Sequence, residues 1–562
     1  MTAPTKALPN PLTAFAAQVA RRPEAIAFVQ PLAGGQLREY NWRQVDDEAR
    51  RIAFYLSSLH LPPHSNIALM SKNCAEWIMC DLAIWMAGHV SVPLYPTLAA
   101  QTVNQIMTHS NCPVLFVGKL DSWEEMARGV PEGVRCIAFS LAPEAARAAY
   151  PVWTELLDQY RPLENIANPA MSDLATIIYT SGTTGTPKGV MQDFSRLATV
   201  GTYAGKVYAM SESDRLISYL PLSHVAERDA IELAMLYNGM RVFFADSLDT
   251  FAQDIQRARP TVFFAVPRIW TKFYQKVCEK IPPKKLAMLL KIPVINRIVR
   301  KKLLSALGLD ACRLMLSGAA SLSPELIGWY NRLGIEILEV YGMTENMAWS
   351  HTTRMGDQKI GYVGTPNPGV ECRIGEHGEI LVKSAGNMLG YYKEPDMSAA
   401  AFIDGNWLRT GDQGEIDAQG RLKITGRLKE IFKTSKGKYV APAPIENKLV
   451  NLPGIELVCV VGADMAQPIA LINLTPEEKT RMAAHANARE HFTHALEALR
   501  KTVNDTLDPH EHLACCVVVK SAWTVENNMI TPTLKIKRNE LEKVYADRLP
   551  IWQQNKGVIW EN

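Results

Sequence analysis

The segment from residue 179 to residue 189 decides the fold, and it reads Tyr179-Thr180-Ser181-Gly182-Thr183-Thr184-Gly185-Thr186-Pro187-Lys188-Gly189. It follows an apolar run at 175–178 that is typical of a buried strand. Its three glycines allow the backbone to bend and to approach a ligand closely, and its hydroxyl and amide groups can surround an anion. The pattern therefore predicts a phosphate-binding loop.

The lysine of this loop argues against a kinase-type P-loop. In that motif a Ser or Thr follows the lysine directly and binds Mg²⁺ through its hydroxyl. Here Lys188 is preceded by Pro187 and followed by Gly189, so this metal ligand is absent. We therefore expect a phosphate site that obtains its metal ligand from elsewhere in the chain.

The strand pattern on both sides of the loop predicts an α/β fold. Apolar runs at 65–70, 114–117, 261–266 and 313–316 are separated by helical patterns, as in mostly parallel sheets covered by helices. The helical pattern that begins at Asn10-Pro11 starts with a capping residue and a proline suited to the first turn.

The chain of 562 residues is too long for one hydrophobic core, which predicts two or three folding units. After about residue 360 the pattern changes to short alternating strands with glycine turns, and a compact α+β segment follows. We expect a large N-terminal domain at 1–426, of which about 360–426 is a distorted β-rich part. A small C-terminal α+β domain is expected at 427–562.

Composition excludes several classes of protein. The chain has 60 Lys and Arg against 57 Asp and Glu, and a net charge of +3 does not favour a nucleic-acid partner. Ten cysteines occur without a CxxC pair, which favours a reducing compartment and no structural zinc. With neither a signal-like start nor a long apolar run, the expected location is cytoplasmic, with peripheral membrane attachment left open.

The loop at 179–189 resembles the hallmark of the adenylate-forming (AMP-binding) superfamily, which contains acyl-CoA synthetases, firefly-type luciferases and peptide-synthetase adenylation domains. Further motifs similar to those of the family occur in the family's order from about residue 73 to 538. The resemblance implies ATP-dependent conversion of a carboxylic acid to an acyl-adenylate with release of pyrophosphate, followed by transfer to coenzyme A. It also implies that the small C-terminal domain is mobile.

The resemblance assigns nucleotide binding to residues in five motifs. They are Thr180, Ser181, Gly182, Thr183, Thr184, Gly185 and Lys188; Gly318, Ala319 and Ala320; Tyr341 and Gly342; Asp412; and Arg427. In these roles the small residues at 318–320 admit adenine, Tyr341 stacks on it, and Asp412 accepts the ribose hydroxyls. Arg427 reaches the ribose or a phosphate.

The resemblance also implies the catalytic residues. His224 of the Leu-Pro-Leu-Ser-His motif contacts the acyl pocket and the adenylate, and Thr344 touches the α-phosphate. Glu345 holds Mg²⁺, in keeping with the preference of this cation for a few carboxylate oxygens. Lys535 aligns with the catalytic lysine, and Lys537 is the alternative. Leu534 stands where many members have glycine, which resembles fatty acyl-CoA synthetases for medium- or long-chain acids.

Two further residues are implied to serve the second half-reaction. Lys429, in Gly-Arg-Leu-Lys-Glu, is similar to the pivot about which the small domain turns. Gly437 lies in a segment similar to the loop that then enters the active site, where it would let pantetheine pass. The alternative for Lys429 is an exposed lysine without a special role.

Several alternatives remain open. The chain could activate an aryl acid, pass the acyl group to a carrier protein, perform luciferase-type oxidation, or bind nucleotide without catalysis. The segment 272–302 contains ten basic residues and one acidic residue among many apolar ones. It could lie on an anionic membrane, flank the phosphates of coenzyme A, or form a solvated helical face. The pattern leaves the oligomeric state open.

Overall fold

The computed structural model describes residues 8–181, 187–485, 487–525, 527–531 and 535–561, without the side chain of Ser181. Within these ranges the strands in chain order are β1 Ile26–Pro31, β2 Leu37–Asn41, β3 Asn66–Met70, β4 Val90–Leu94, β5 Val114–Val117, β6 Arg135–Ala138, β7 Leu174–Ser181, β8 Pro187–Asp193, β9 Arg215–Ser218, β10 Arg241–Phe244, β11 Val262–Ala265, β12 Leu314–Ser317, β13 Ile337–Tyr341, β14 His351–Thr352, β15 Thr365–Pro366, β16 Val370–Ile374, β17 Glu379–Ser384, β18 Gly390–Tyr391, β19 Phe402–Ile403, β20 Trp407–Ile416, β21 Leu422–Arg427, β22 Phe432–Lys433, β23 Tyr439–Val440, β24 Ile455–Val461, β25 Ile469–Leu474, β26 Cys515–Val518 and β27 Gly557–Trp560.

Over the same ranges the α-helices are α1 Pro11–Arg21, α2 Trp42–Ser58, α3 Ala75–Met86, α4 Ala100–Ser110, α5 Glu124–Ala127, α6 Glu144–Ala149, α7 Trp153–Gln159, α8 Phe194–Val207, α9 Val225–Glu227, α10 Ala234–Asn238, α11 Phe251–Ala258, α12 Pro267–Lys280, α13 Pro283–Leu289, α14 Pro293–Ala306, α15 Pro324–Arg332, α16 Pro395–Ala400, α17 Pro442–Leu449, α18 Pro476–Ala484, α19 Ala488–Asn504, α20 Arg538–Tyr545 and α21 Leu549–Trp552. A π-helix at Arg228–Leu233 joins α9 to α10. The predicted start of α1 is confirmed, because the Asn10 side chain accepts from Thr13 N–H at 2.8 Å.

The central sheet carries the predicted phosphate loop at one side. In the described part of the chain its order is β18-β8-β7-β4-β3-β5-β6, and β3 to β7 pair in parallel while β8 and β18 pair antiparallel. Successive residues of β3 alternate between two cores, since Ile67 and Leu69 pack on one face and Ala68 and Met70 on the other. Burial on both faces explains why this strand is a continuous apolar run.

A second sheet supplies the other side of the site. Its order is β11-β12-β13-β14-β15 among the described residues, and its first three strands run in parallel. The carboxyl ends of β12 and β13 therefore lie side by side, which is where ligands bind in open parallel sheets. A further sheet, β2-β1-β10-β9, completes the helix-covered part.

The remaining sheets lie after about residue 360, where the sequence predicts short alternating strands. Strands β16, β17, β19, β20 and β21 form an antiparallel sheet, and β21 ends at Arg427. Beyond it, β24-β25-β26-β27 form a sheet with separate apolar cores on its two faces, covered by the C-terminal helices. The predicted fold class is confirmed: a large α/β part with a β-rich section precedes a smaller α+β part.

One buried charge cluster joins the central sheet to the π-helix. The Arg228 guanidinium pairs with Asp81 on α3 and with Glu232, whose Oε2 lies 3.0 Å from Nε, and it donates to the Thr176 hydroxyl at 2.9 Å. At most 2% of the surface of each of the three charged residues, Arg228, Asp81 and Glu232, is exposed to solvent. Removing one partner of such a cluster leaves uncompensated charge in the interior.

We expect Arg228→Met to lower the free energy of the first unfolding transition by about 3–5 kcal/mol, because two buried carboxylates lose their counter-charge. Arg43→Met is the matched control, since Arg43 pairs with Glu24 at the surface and should contribute less than about 1 kcal/mol. Denaturant titration followed by circular dichroism measures both. Equal effects of the two substitutions would contradict the stabilising role of the cluster.

Candidate active site

The phosphate loop joins two strands of the central sheet. Thr180 on β7 is paired with Lys188 on β8, so the two ends of the loop are held together. Ser181 ends β7. The predicted nucleotide-binding residues Gly182, Thr183, Thr184 and Gly185, as well as the Ser181 side chain, lie outside the described residues.

Glycines allow close packing at the edge of the second sheet. A Cβ at Gly318 would lie 2.6 Å from Val340 Cγ2 and 3.1 Å from the Phe264 ring, and one at Gly342 would lie 2.3 Å from the Ala348 backbone. Ala319 adopts a positive φ of 66°, which turns the chain sharply after β12. The residues at 318–320 thus follow β12, and Tyr341 and Gly342 lie at the end of the adjacent parallel strand β13.

A hydrogen-bonded triad joins this edge to the antiparallel sheet. The Tyr341 hydroxyl donates to Asp412 Oδ2 at 2.8 Å, and Arg427 Nε lies 3.1 Å from Asp412 Oδ1. Asp412 and Arg427 are directly opposite each other on β20 and β21. Burial raises the pKa of Asp412, while Arg427 and the tyrosine hydroxyl oppose that rise. Because a carboxylate has about four lone-pair sites, Asp412 retains acceptor capacity for ribose hydroxyls.

Glu345 is held by its backbone and by its carboxylate. Its carbonyl accepts from Met388 N–H at 2.7 Å, and its Oε1 accepts from the Tyr391 hydroxyl at 2.9 Å. Burial raises the pKa of Glu345, and the hydrogen bond from Tyr391 and the charges of Arg427 and Lys188 act in the opposite direction. The carboxylate therefore faces two cations.

This environment fits Mg²⁺ bound together with nucleotide phosphates. Among the described residues no group of three or more His, Cys, Asp or Glu side chains could hold a metal on its own. Mg²⁺ usually binds through one or two carboxylates and completes its shell with phosphate oxygens and water. Glu345, beside the phosphate loop, supplies one such carboxylate.

Thr344 is fixed through its backbone. It begins a short 3₁₀ helix, Thr344–Asn346, and its carbonyl accepts from Gln192 Nε2 at 2.9 Å. The Asn346 side chain caps this turn by accepting from Met343 N–H at 2.9 Å. The bond from Gln192 thus links the central sheet to the turn that follows the second sheet, close to the predicted phosphate loop.

His224 caps the helix α9 in a defined tautomer. Its Nδ1 accepts from Ala226 N–H at 3.1 Å, so the proton of the neutral ring is on Nε2. Burial, and to a smaller extent the charge of Lys535, lower the pKa of His224 to about 3. At neutral pH the imidazole is therefore an uncharged donor.

Lys535, from the C-terminal part, interacts electrostatically with the residues described above. Its backbone N–H donates to Thr531 Oγ1 at 3.0 Å, and its carbonyl accepts from Thr531 N–H at 2.7 Å. The residue is solvent-accessible, but the surrounding protein desolvates its ammonium and lowers the pKa to about 8. Arg427 acts in the same direction, whereas Asp412 and Glu345 oppose it.

Two predicted residues lie apart from this group. Lys429 is exposed, and its side chain makes no hydrogen bond or ion pair with any residue in the described ranges. Gly437, with φ of +76°, is in the exposed turn between β22 and β23. The aromatic side chains of Phe263 and Trp270 pack in the core beside Phe273.

Sequence reasoning missed Tyr391 and Gln192. Tyr391 follows Gly390 on β18, and Gln192 lies on β8, directly after the phosphate loop. A Gly-Tyr pair after a predicted sheet carries little information by itself. Gln192 was easier to find than Tyr391, because it lies four residues after Lys188 on the strand β8 that leads away from the loop.

Comparison with known proteins assigns the family. The AMP-binding enzyme model matches residues 15–392, about two thirds of the chain, and the AMP-binding enzyme C-terminal domain model matches residues 429–550. The chain belongs to the AMP-binding enzyme family. The resemblance predicted from the motifs is thereby confirmed.

Relatives of this AMP-binding enzyme cover nearly the whole chain. Long-chain-fatty-acid–CoA ligase FadD15 of Mycobacterium tuberculosis is 31% identical over 563 residues, covering 92% of each chain. The peroxisomal long chain acyl-CoA synthetase 6 of Arabidopsis thaliana is 29% identical, covering 93% of this chain and 83% of the relative.

Solved structures share the fold. The adenylation domain of a carboxylate reductase from Mycobacterium chelonae superposes with a TM-score of 0.82 at 22% identity, covering 99% of this chain and 92% of that one. The anthranilate CoA ligase AuaEII, solved with anthranoyl-AMP, gives a TM-score of 0.76 at 22% identity, with 96% and 98% covered.

We expect Gly342→Ala to weaken AMP binding by about tenfold or more, since overpacking against the Ala348 backbone costs about 1–3 kcal/mol and shifts Tyr341 and Glu345. Isothermal titration calorimetry with AMP measures this loss. Gly328→Ala on α15 is the control, because its Cβ would meet only Arg332 Nη1 at 4.0 Å. An unchanged affinity in Gly342→Ala would contradict the close packing at the adenine edge.

Proposed function

We propose that this enzyme activates a long-chain fatty acid as its acyl-adenylate and then transfers the acyl group to coenzyme A. Curated relatives that cover over nine tenths of the chain are named long-chain-fatty-acid–CoA ligases or acyl-CoA synthetases. The observation that carries the proposal is the surroundings of Lys535, whose ammonium interacts with the charges of Arg427, Asp412 and Glu345.

In the first half-reaction an oxygen of the substrate carboxylate bonds to the α-phosphorus of ATP, and the bond to the pyrophosphate oxygen breaks. Negative charge rises on the phosphoryl oxygens, and preorganised donors stabilise it. Lys535, charged below pH 8, is the proposed donor at the α-phosphate, together with Thr344. Lys188 lies on the loop side with Thr180. Mg²⁺, when bound at Glu345, neutralises phosphate charge.

The nucleoside is proposed to bind against the second sheet. Gly318, Ala319 and Ala320 leave room for adenine, Tyr341 stacks on the base, and Asp412 accepts the ribose hydroxyls beside Arg427. His224 is proposed to donate from Nε2 to the adenylate or to the acyl carbonyl. Its neutrality is useful there, because a charged imidazole would repel Lys535.

For the second half-reaction the thiol of coenzyme A attacks the acyl carbonyl and AMP leaves. We propose that the segment 427–562 then turns as a unit near Lys429 and brings the Gly437 turn to the cleft. In the arrangement described here, Arg268 on α12 pairs with Glu456 on β24, and Ser323 Oγ donates to Asn451 Oδ1 at 3.0 Å. These contacts have to open during the turn.

The direct test is pyrophosphate exchange with a panel of acids, followed by thioester detection with free coenzyme A. We expect exchange to be fastest with long-chain fatty acids, and we expect Lys535→Ala to lose about 10²–10³ in that rate while it keeps thioester formation from supplied acyl-adenylate. At ATP concentrations well below saturation, exchange should fall as pH rises through about 8, because the rate then reports the free enzyme, in which the pKa of Lys535 is lowered to about 8.

Lys537→Ala is the matched control, because this lysine donates to Asn528 outside the cleft. Its exchange rate and pH profile should equal those of the wild type. Exchange with aryl acids alone, or acyl transfer only to a carrier protein, would contradict the proposed substrate or acceptor. No exchange with any acid would contradict the activity itself.

We further propose that α13 and α14 form a lipid-docking surface. No helix in the described ranges is long and apolar enough to cross a bilayer. Yet Met288, Ile292, Val294 and Ile298 are between 45% and 71% exposed, and no residue of α14 is buried. They lie among exposed basic side chains, which are Lys284, Lys285, Lys291, Arg297, Lys301 and Lys302. Apolar side chains ringed by cations suit an anionic membrane surface.

We expect the protein to sediment with vesicles containing phosphatidylglycerol and to be released by salt, which screens the attraction. Replacing both Val294 and Ile298 by Asp should reduce binding by about tenfold or more, since each exposed side chain contributes about 1 kcal/mol or more when buried in lipid. Leu248→Asp is the control, because Leu248 is 73% exposed elsewhere. Equal binding to pure phosphatidylcholine, or release by coenzyme A, would contradict the proposal.

A further inference from the structure

The contact between Tyr391 and Glu345 has no part in the reaction outlined above. Tyr391 is on β18, which pairs antiparallel with β8 so that Tyr391 is opposite Val190. It therefore belongs to the strand that lies directly beside the segment leaving the phosphate loop. Its hydroxyl reaches 2.9 Å from Glu345 Oε1, across 46 residues of chain.

The backbone of Tyr391 is fixed from both sides. Its N–H donates to Ser398 Oγ at 2.8 Å, and the preceding Gly390 has φ of +145°, a conformation that other residues rarely adopt. The pairing with β8 adds a second restraint. The backbone that carries the Tyr391 side chain is thus held in place, which restricts the directions that the hydroxyl can take.

The ring of Tyr391 also faces the phosphate loop. Lys188 Nζ is 5.7 Å from the ring centroid, within the range of a cation–π contact. One tyrosine therefore contacts the lysine of the loop through its ring and the Glu345 carboxylate through its hydroxyl.

We propose that Tyr391 is a positioning residue that holds the Glu345 carboxylate in the direction needed for Mg²⁺ bound with ATP. This inference rests on the proposed function, because it takes Glu345 as the residue that holds the cation. A carboxylate turns about its terminal torsion unless a partner holds it. A hydrogen bond to one oxygen fixes the plane of the carboxylate and leaves the other oxygen to the metal.

The experiment is Tyr391→Phe, which keeps the ring and removes only the hydroxyl. The probe is α,β-methylene-ATP, which the enzyme cannot cleave at the α-phosphate, and calorimetry measures its affinity with and without Mg²⁺. We expect the gain in affinity from Mg²⁺ to fall by about tenfold, as for the loss of a hydrogen bond to a charged group, with metal-free affinity unchanged.

Tyr392→Phe is the matched control. The Tyr392 hydroxyl accepts from Asn66 Nδ2 at 3.1 Å and does not face Glu345. This variant should retain the full effect of Mg²⁺. In a Glu345→Gln background, Tyr391→Phe should change the Mg²⁺ effect no further, because the two residues act through one contact.

An unchanged effect of Mg²⁺ in Tyr391→Phe would overturn the inference. Equal losses with and without Mg²⁺ would also overturn it, because they would indicate a general structural role. The binding measurement needs no acid substrate. A failure of the proposed acid activation therefore remains distinguishable from a failure of the positioning role.

Discussion

The site depends on one buried carboxylate, Asp412, which holds together three parts of the molecule. Through Tyr341 it is bonded to the carboxyl edge of the second sheet, and through Arg427 to the end of the last strand before the C-terminal part. The edge of the second sheet, the antiparallel sheet and the point where the chain leaves for the C-terminal sheet thus share one anchor. Arg427 and Lys535 gather there because Asp412 and Glu345 offset their mutual repulsion.

This balance of charges explains the protonation states in the cleft. Desolvation acts on every ionisable group there, and it favours the neutral form of each. His224 has no carboxylate partner and becomes neutral, while Lys535 retains its proton up to about pH 8 because two carboxylates face it. The negative charge of a nucleotide bound as proposed would further favour the charged form of Lys535.

Much of the fold followed from the sequence because buried strands are continuous apolar runs. The run at 114–117 became β5 with the same bounds, and the run at 65–70 became β3 with one residue fewer. Motif residues such as Tyr341, Glu345 and Lys535 were predicted from resemblance, and the fold brings them to one cleft. The contacts of Tyr391 and Gln192 could not be predicted, because they arise from pairing between strands that are distant in sequence. Nor does the pattern at 272–302 reveal which apolar side chains remain exposed.

The ion pair between Arg268 and Glu456 is partly exposed, with 32% and 21% of the two side chains accessible. Such pairs contribute about 0–1 kcal/mol each. Breaking this pair therefore adds at most about 1 kcal/mol to the free energy needed for the proposed turn of the segment 427–562, which is too little for the pair alone to block that turn.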